Sequence, residues 1–203
     1  MKNIIIIFIF SLVFQSTYGD EYIKAYTKQY KSQNGLYTLT IFPTHTPKNY
    51  DREMNKRNKN LEKYKNRILK DTIIPCHAIL TKTINYEQEI IWEKDLVNMT
   101  APEEAIVTND GEYVVTFDDW FYTGKGDNVI VVYDKNGNKL QNYKLNEFCP
   151  FPINDLTETV SSIPWYFGIE TYSKSPNVIE ILIINKSKNI KKTKYNLTEL
   201  KFE

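Results

Sequence analysis

The densest group of side chains able to do chemistry lies at residues 117–128, which read FDDWFYTGKGDN. If Asp118 and Asp119 end a strand and the glycine-rich loop folds back over them, Asp119 and Asp127 could supply hard oxygen ligands for Ca²⁺. The same carboxylates could bind sugar hydroxyls beside a Trp120 platform. In the structural alternative, Asp118 and Asp127 cap a turn through their own backbone and Trp120 packs in the core. The sequence leaves these interpretations open and favours the structural one.

Motifs of familiar enzymes are absent from the sequence. There is no Gly-x-Ser-x-Gly elbow, no His-Glu-x-x-His, no phosphate-binding Gly-Lys-Ser/Thr loop and no Cys-x-x-Cys pair. His77 follows Cys76, but neighbouring strand residues point to opposite faces, so a structural histidine is the better interpretation and no metal site is predicted. We therefore expect a non-enzymatic protein. Were it an enzyme, Asp118, Asp119 and Asp127 would be the carboxylates to test first.

The first 19 residues have the form of a secretory signal. Lys2 precedes an apolar run at residues 4–14, and a polar stretch ends on the small residue Gly19. This run is shorter than the roughly 20 apolar residues that a membrane-spanning helix needs. We therefore expect cleavage after Gly19, export to the periplasm or the extracellular space, and no stable membrane insertion. Residues 20–203 are then expected to form a single β-rich domain.

Two cysteines, Cys76 and Cys149, remain after that cleavage. An even number in an oxidising compartment favours a disulfide between them. Two independent buried thiols are the alternative, and the sequence alone does not decide between the two.

Turn chemistry predicts β-hairpins. Asp110-Gly111 and Asn136-Gly137 are dipeptides that reach positive φ at low cost, and β-branched and aromatic runs flank both of them. Aligning such segments suggests three similar units, each with up to four antiparallel strands. Their recognisable strands lie at residues 32–42, 76–80 and 89–96, then 109–117, 128–134 and 139–145, then 177–184 and 191–197.

A repeated four-stranded meander is typical of β-propeller blades, so we predict an all-β fold of three propeller-blade-like units. An ordinary β-sandwich with similar hairpins is the alternative. Three blades are too few to close a ring, since propellers use roughly four to eight. The exposed sheet edges would then be closed by stacking within the chain or by a second copy in a homodimer.

One segment, residues 44–71, departs from this strand pattern. It is polar and basic, and Leu61, Tyr64, Ile68 and Leu69 recur near a helical period, which predicts a short helical or loop insertion. The whole chain is nearly neutral, with 26 Lys and Arg against 25 Asp and Glu. This balance gives no reason to expect a nucleic acid as partner.

Several of these motifs together resemble a family of exported bacterial proteins with β-propeller-like (WD40-like) repeats. The resemblance covers roughly residues 32–182. It rests on the NDG turn at 109–111, YVVTFD at 113–118, Trp120, Gly124, Gly126, VIVVYD at 129–134, Asn136-Gly137, WEKDLVN at 92–98 and VSSIPW at 160–165. It implies a single β domain and carries no activity over to this chain.

Three hypotheses about function stay open. The first is an exported, non-enzymatic β-repeat module that binds a protein or a glycan through its loops or an open sheet edge. The second is a structural component of the cell envelope that associates with itself. The third and weakest is an enzyme. No cofactor is predicted beyond the Ca²⁺ that Asp119 and Asp127 could hold.

Overall fold

Strands are the main secondary structure. The computed structural model describes residues 24–45, 73–171 and 177–203. The predicted signal peptide at 1–19 and residues 46–71 of the predicted insertion, with its helical interpretation, lie outside these ranges. No helix within the described ranges is long and apolar enough to span a membrane.

Three antiparallel sheets of four strands each make up the fold, and in each sheet the spatial order of the strands follows the chain order. The first sheet contains β1 (Lys28–Lys31), β2 (Tyr37–Phe42), β3 (His77–Ile84) and β4 (Glu87–Asp95). The middle sheet contains β5 (Glu104–Val107), β6 (Tyr113–Phe117), β7 (Ile130–Asp134) and β8 (Lys139–Tyr143). The third sheet contains β9 (Tyr166–Thr171), β10 (Val178–Ile184), β11 (Ile190–Asn196) and β12 (Lys201–Phe202).

These sheets confirm the predicted all-β class and the three antiparallel units. A short helix, α1 (Leu145–Phe148), and a 3₁₀ turn at Ile153–Asp155 lie between the middle and third sheets. The strands that the sequence pattern missed are β1, β5, β9 and β12. All four are edge strands, and of the four only β5 adjoins one of the Asp-Gly and Asn-Gly turns that located the hairpins, because Asp110-Gly111 lies between β5 and β6.

Two glycine turns of the middle sheet press against the first sheet. Gly111 has φ +74°, and a Cβ atom there would lie 2.4 Å from the Tyr37 ring. Gly137 has φ +75°, and a Cβ atom there would lie 2.9 Å from the Trp92 ring. Glycine is therefore needed at both turns for the backbone conformation and for the close approach of the neighbouring aromatic ring.

The middle sheet is buried on both faces. Val114, Val131 and Tyr133 pack in one core with the first sheet, whereas Phe117 and Ile130 pack in a second core with the third sheet. Successive strand residues point to opposite faces, so β6 and β7 must be apolar along nearly their whole length. This stacking explains the continuous runs YVVTF and IVVYD.

The predicted disulfide is wrong, because both cysteines are free thiols. Cys76 is buried in the core between the first and middle sheets. Cys149 follows α1 and packs against the core between the middle and third sheets. Burial raises the pKa of the Cys76 thiol to about 12 and also raises that of Cys149. The even number of cysteines predicted a disulfide, but the two thiols pack in different hydrophobic cores.

The first strands of the three sheets lie near one another. Lys28 Nζ and Tyr30 Oη of β1 both donate to the carbonyl oxygen of Glu103, just before β5, at 2.8 and 3.1 Å. Tyr166 of β9 lies close enough to Glu103 and Glu104 that their negative charges add to burial in raising its pKa. Thus β1, β5 and β9 approach a common region.

Candidate functional site

Asp118 immediately follows β6, and its buried side chain connects two segments of the chain. Its side chain is almost inaccessible, at 1% exposure, and its backbone has φ +56°. The carboxylate accepts the backbone N–H of Gly124 at 2.6 Å and the indole N–H of Trp165 at 2.9 Å. Burial raises its pKa to about 8, although these two hydrogen bonds favour the charged form. Asp118 therefore joins the glycine loop to the segment that enters the third sheet.

Asp119 points the other way and holds the connection between β4 and β5. Its carboxylate accepts three consecutive backbone N–H groups, those of Met99 at 2.5 Å, Thr100 at 3.0 Å and Ala101 at 3.2 Å. Burial raises the pKa of Asp119, and the backbone donors oppose that change. The carboxylate fixes this connection beside the loop at residues 119–128.

Trp120 belongs to neither described hydrophobic core, so the interpretation in which it packs in the core is wrong. Its ring meets Tyr26 edge-on at 5.7 Å and Phe121 edge-on at 6.2 Å between centroids. Lys28 Nζ lies 5.0 Å from the ring centroid, a cation–π distance. The predicted sugar platform is therefore occupied by intramolecular aromatic and cationic neighbours.

Asp127 is exposed at the far end of the glycine loop. Its carboxylate forms an ion pair with Lys144 Nζ at 2.9 Å, and its carbonyl oxygen accepts the Asn142 side-chain amide at 2.8 Å. These contacts tie the loop to the end of β8. Asp127 thus serves as an anchored rim residue.

A cavity of about 190 Å³ lies between the β4–β5 connection and the loop at residues 119–128. We call it the Met99–Tyr122 pocket. Its lining residues are Val97, Met99, Asp119, Tyr122, Lys125, Gly126, Asp127 and Asn128. Met99 and Tyr122 are strongly exposed, at 66% and 47%. Of the four residues singled out from the sequence, the pocket brings together Asp119 and Asp127, with Asp118 and Trp120 outside its lining.

Two charged side chains that line the pocket, those of Asp119 and Lys125, are engaged by other parts of the chain. Lys125 Nζ contacts Glu158 Oε1 at 3.2 Å and the carbonyl oxygens of Thr159 and Val160 at 3.3 and 3.2 Å. Its amine is therefore engaged, and the Asp119 oxygens face backbone donors. Within the described ranges, no group of three or more His, Cys, Asp or Glu residues is placed to hold a metal ion. The Ca²⁺ hypothesis gains no support from this geometry.

The sequence did not predict that the β4–β5 connection would form one side of the pocket. Val97 and Met99 lie about twenty residues before Asp119 and reach the pocket because β5 and β6 are neighbours in the sheet. The available signal was two apolar residues, Val97 and Met99, that alternate with polar ones just after a strand. Their exposure becomes evident only in three dimensions.

Comparison with protein-family models, curated proteins and solved structures yields no match. The resemblance to exported proteins with propeller-like repeats thus remains a prediction from the sequence motifs.

Proposed function

We propose that the protein is an exported, non-enzymatic β-repeat module that binds another protein through the Met99–Tyr122 pocket. The observation that carries this proposal is a walled cavity with a methionine and a tyrosine exposed around it. Tyrosine and methionine are enriched at protein interfaces, and methionine adapts its shape to varied partners.

The size of the pocket suggests what enters it. At about 190 Å³ it is smaller than the roughly 300–1,000 Å³ usual for drug-sized ligands. One large apolar side chain from a partner would fill it, with the partner backbone lying across the exposed rim. Asp127 and Lys144 would then form the polar edge of the interface.

The walls of the pocket are held in place before any partner arrives. Asp119 fixes the β4–β5 connection through three backbone hydrogen bonds, and Asp118 fixes Gly124 at the base of the loop. Rigid walls reduce the entropy that binding must overcome. The two aspartates therefore support recognition by shaping the pocket.

A protein ligand suits this surface better than a glycan. Sugar rings are bound by stacking on an open aromatic face, and the Trp120 ring is packed among Tyr26, Phe121 and Lys28. Tyr122 alone offers an exposed ring in the pocket, beside apolar Val97 and Met99.

The three sheets would be propeller-like blades in this proposal. Two observations support that finer description: each sheet packs face-on against the next, and β1, β5 and β9 approach one region. Blades arranged around an axis bring their first strands together in this way. An open sandwich of three layers is the competing description.

An array of random short peptides tests the binding proposal. We expect the exported protein to select peptides that share a large apolar side chain. A variant with Met99→Ser and Tyr122→Ser should lose that selection. The control Tyr86→Ser removes a fully exposed tyrosine on the β3–β4 turn and should bind as the parent does.

A glycan array probed in parallel separates the two ligand classes. Selection of glycans without selection of peptides would contradict the proposal. Equal peptide binding by the folded double variant would also contradict it. Export is tested separately by the amino-terminal sequence of the secreted protein, which should begin at Asp20.

A further inference from the structure

The loop at residues 119–128 begins with a turn whose backbone is strained. The N–H of Tyr122 donates to the carbonyl oxygen of Asp119 at 2.8 Å, which closes a four-residue turn. Phe121, the third residue of this turn, has φ +77°. A turn with positive φ at its third position normally has glycine or asparagine there, because a Cβ atom makes the left-handed region unfavourable. The phenylalanine is therefore held in a conformation that its own backbone disfavours.

The next turn of the same loop has the usual residue at this position. The N–H of Lys125 donates to the carbonyl oxygen of Tyr122 at 2.9 Å, and the third residue of that turn is Gly124, with φ +69°. Tyr122 is the last residue of the strained turn and the first residue of the glycine turn. Both of its backbone polar groups are therefore bonded, and the backbone that carries the Tyr122 side chain into the pocket depends on the strained turn.

Aromatic packing accompanies the strain at Phe121. The Trp120 ring meets this partly buried ring edge-on, at 6.2 Å between centroids. Trp120 in turn contacts Tyr26 edge-on at 5.7 Å and has Lys28 Nζ 5.0 Å from its ring centroid. The N–H of Trp120 donates to the carbonyl oxygen of Ala101 at 2.8 Å, which ties the turn to the β4–β5 connection. Strain of this kind persists only where surrounding contacts hold it, and it is concentrated at functional sites such as ligand clamps.

We propose that Phe121 is a positioning residue for partner binding: its ring, packed on Trp120, holds the strained turn that fixes Tyr122 in the Met99–Tyr122 pocket. This role rests on the proposed binding function, in which the Tyr122 side chain contacts the partner. Glycine at position 121 would form the same turn without strain, but it would also populate other conformations. The aromatic ring selects one conformation before the partner arrives, which reduces the ordering that binding requires.

Two variants at position 121 separate this role from ordinary packing. Phe121→Ala removes the ring but keeps the Cβ atom that disfavours positive φ, whereas Phe121→Gly removes both. If the ring served only for packing, the glycine variant would bind peptide no better than the alanine variant, because glycine is the more flexible residue. We expect the peptide selected by the parent protein on the array to bind Phe121→Ala roughly two- to tenfold more weakly than the parent. Phe121→Gly should lie between the two, because it restores the turn.

Hydrogen exchange of the Tyr122 amide, followed by NMR, measures the turn without any peptide. This amide donates to the Asp119 carbonyl oxygen in the strained turn. Its exchange should be slow in the parent, nearly as slow in Phe121→Gly and clearly faster in Phe121→Ala. Equal rates in all three proteins, or faster exchange in the glycine variant than in the alanine variant, would overturn the role of Phe121 whatever the peptides show.

Lys188 provides a matched control away from the pocket. It has φ +62° in the turn between β10 and β11 and does not line the pocket. Lys188→Ala and Lys188→Gly change the backbone preference in the same two ways as the variants at position 121. Both should bind the selected peptide as the parent does, and circular dichroism should show the same β signal for all four variants.

The binding results distinguish failure of the proposed pocket from failure of the role of Phe121. A parent protein that selects no peptide, or a folded Met99→Ser and Tyr122→Ser variant that binds equally well, would overturn both. If the parent binds through the pocket, equal peptide affinities for Phe121→Ala and Phe121→Gly would overturn the role of Phe121 alone.

Discussion

The indole N–H of Trp165 donates to the carboxylate of Asp118 at 2.9 Å in the buried interior. Asp118 immediately follows β6 of the middle sheet, and Trp165 immediately precedes β9 of the third sheet. The same carboxylate accepts the N–H of Gly124 in the pocket loop. One buried side chain therefore links two sheets and the base of the proposed binding pocket.

Replacing Trp165 with Phe should destabilise the protein more than the same change at Trp92. The Trp92 indole N–H is buried and finds no acceptor in the part of the chain that the structure describes. Both changes remove the same atoms, so their difference isolates the bond to Asp118. We expect Trp165→Phe to lower the free energy of unfolding by about 1–3 kcal/mol more than Trp92→Phe. Urea denaturation measures both, and equal losses would contradict a stabilising role for the bond.

Asp118 should make stability fall as the pH rises. Its pKa is about 8 in the folded protein, against an ordinary value of 3.8. The folded state therefore binds the extra proton between these values, and the stabilising contribution is complete below about pH 4 and lost by about pH 8. Asp118→Asn removes this titration. Unfolding free energies measured by urea from pH 5 to pH 8 should fall more steeply for the parent than for the variant. Parallel pH profiles would refute the shifted pKa.

Gly111→Ala should cost more than Gly35→Ala, although both residues have positive φ. A Cβ atom at Gly111 would lie 2.4 Å from the Tyr37 ring, whereas at Gly35 nothing lies within 4 Å. Both variants acquire backbone strain, but only Gly111→Ala forces the first and middle sheets apart. The added loss should be about 1–3 kcal/mol in thermal or urea unfolding. A larger loss at Gly35 would mean that this sheet contact is wrongly described.

Both thiols should remain free in the folded protein. Cys149 is partly exposed and should react with a maleimide before Cys76, which lies fully buried. Mass spectrometry of the native and denatured protein would follow the two modifications. A tryptic peptide linking the two cysteines under non-reducing conditions would contradict this arrangement.

Local turn chemistry made much of the fold predictable. Asp110-Gly111 and Asn136-Gly137 marked hairpins because their backbone preference is contained within two residues. The edge strands β1, β5, β9 and β12 were missed because their pairing depends on neighbouring strands. Without those partners, their short sequences carry little signal of their own.

The candidate site was only partly predictable, since its contacts join distant parts of the chain. Asp119 holds residues 99–101, and Asp118 reaches Trp165, forty-seven positions away. No local pattern reports such partners. The sequence singled out residues 117–128, part of which lines the pocket, but could not show that Met99 and Tyr122 would form its exposed part. The cysteine pairing failed for the same reason.

Methionine methyl NMR tests the central claim most directly. The chain has three methionines, of which Met99 is the one in the pocket, and Met99→Leu would assign its signal. Titration with an array-selected peptide should shift the Met99 methyl resonance, and Tyr122→Ser should abolish that shift at the same peptide concentrations. A peptide that binds the protein while leaving the Met99 resonance unmoved would contradict recognition through this pocket.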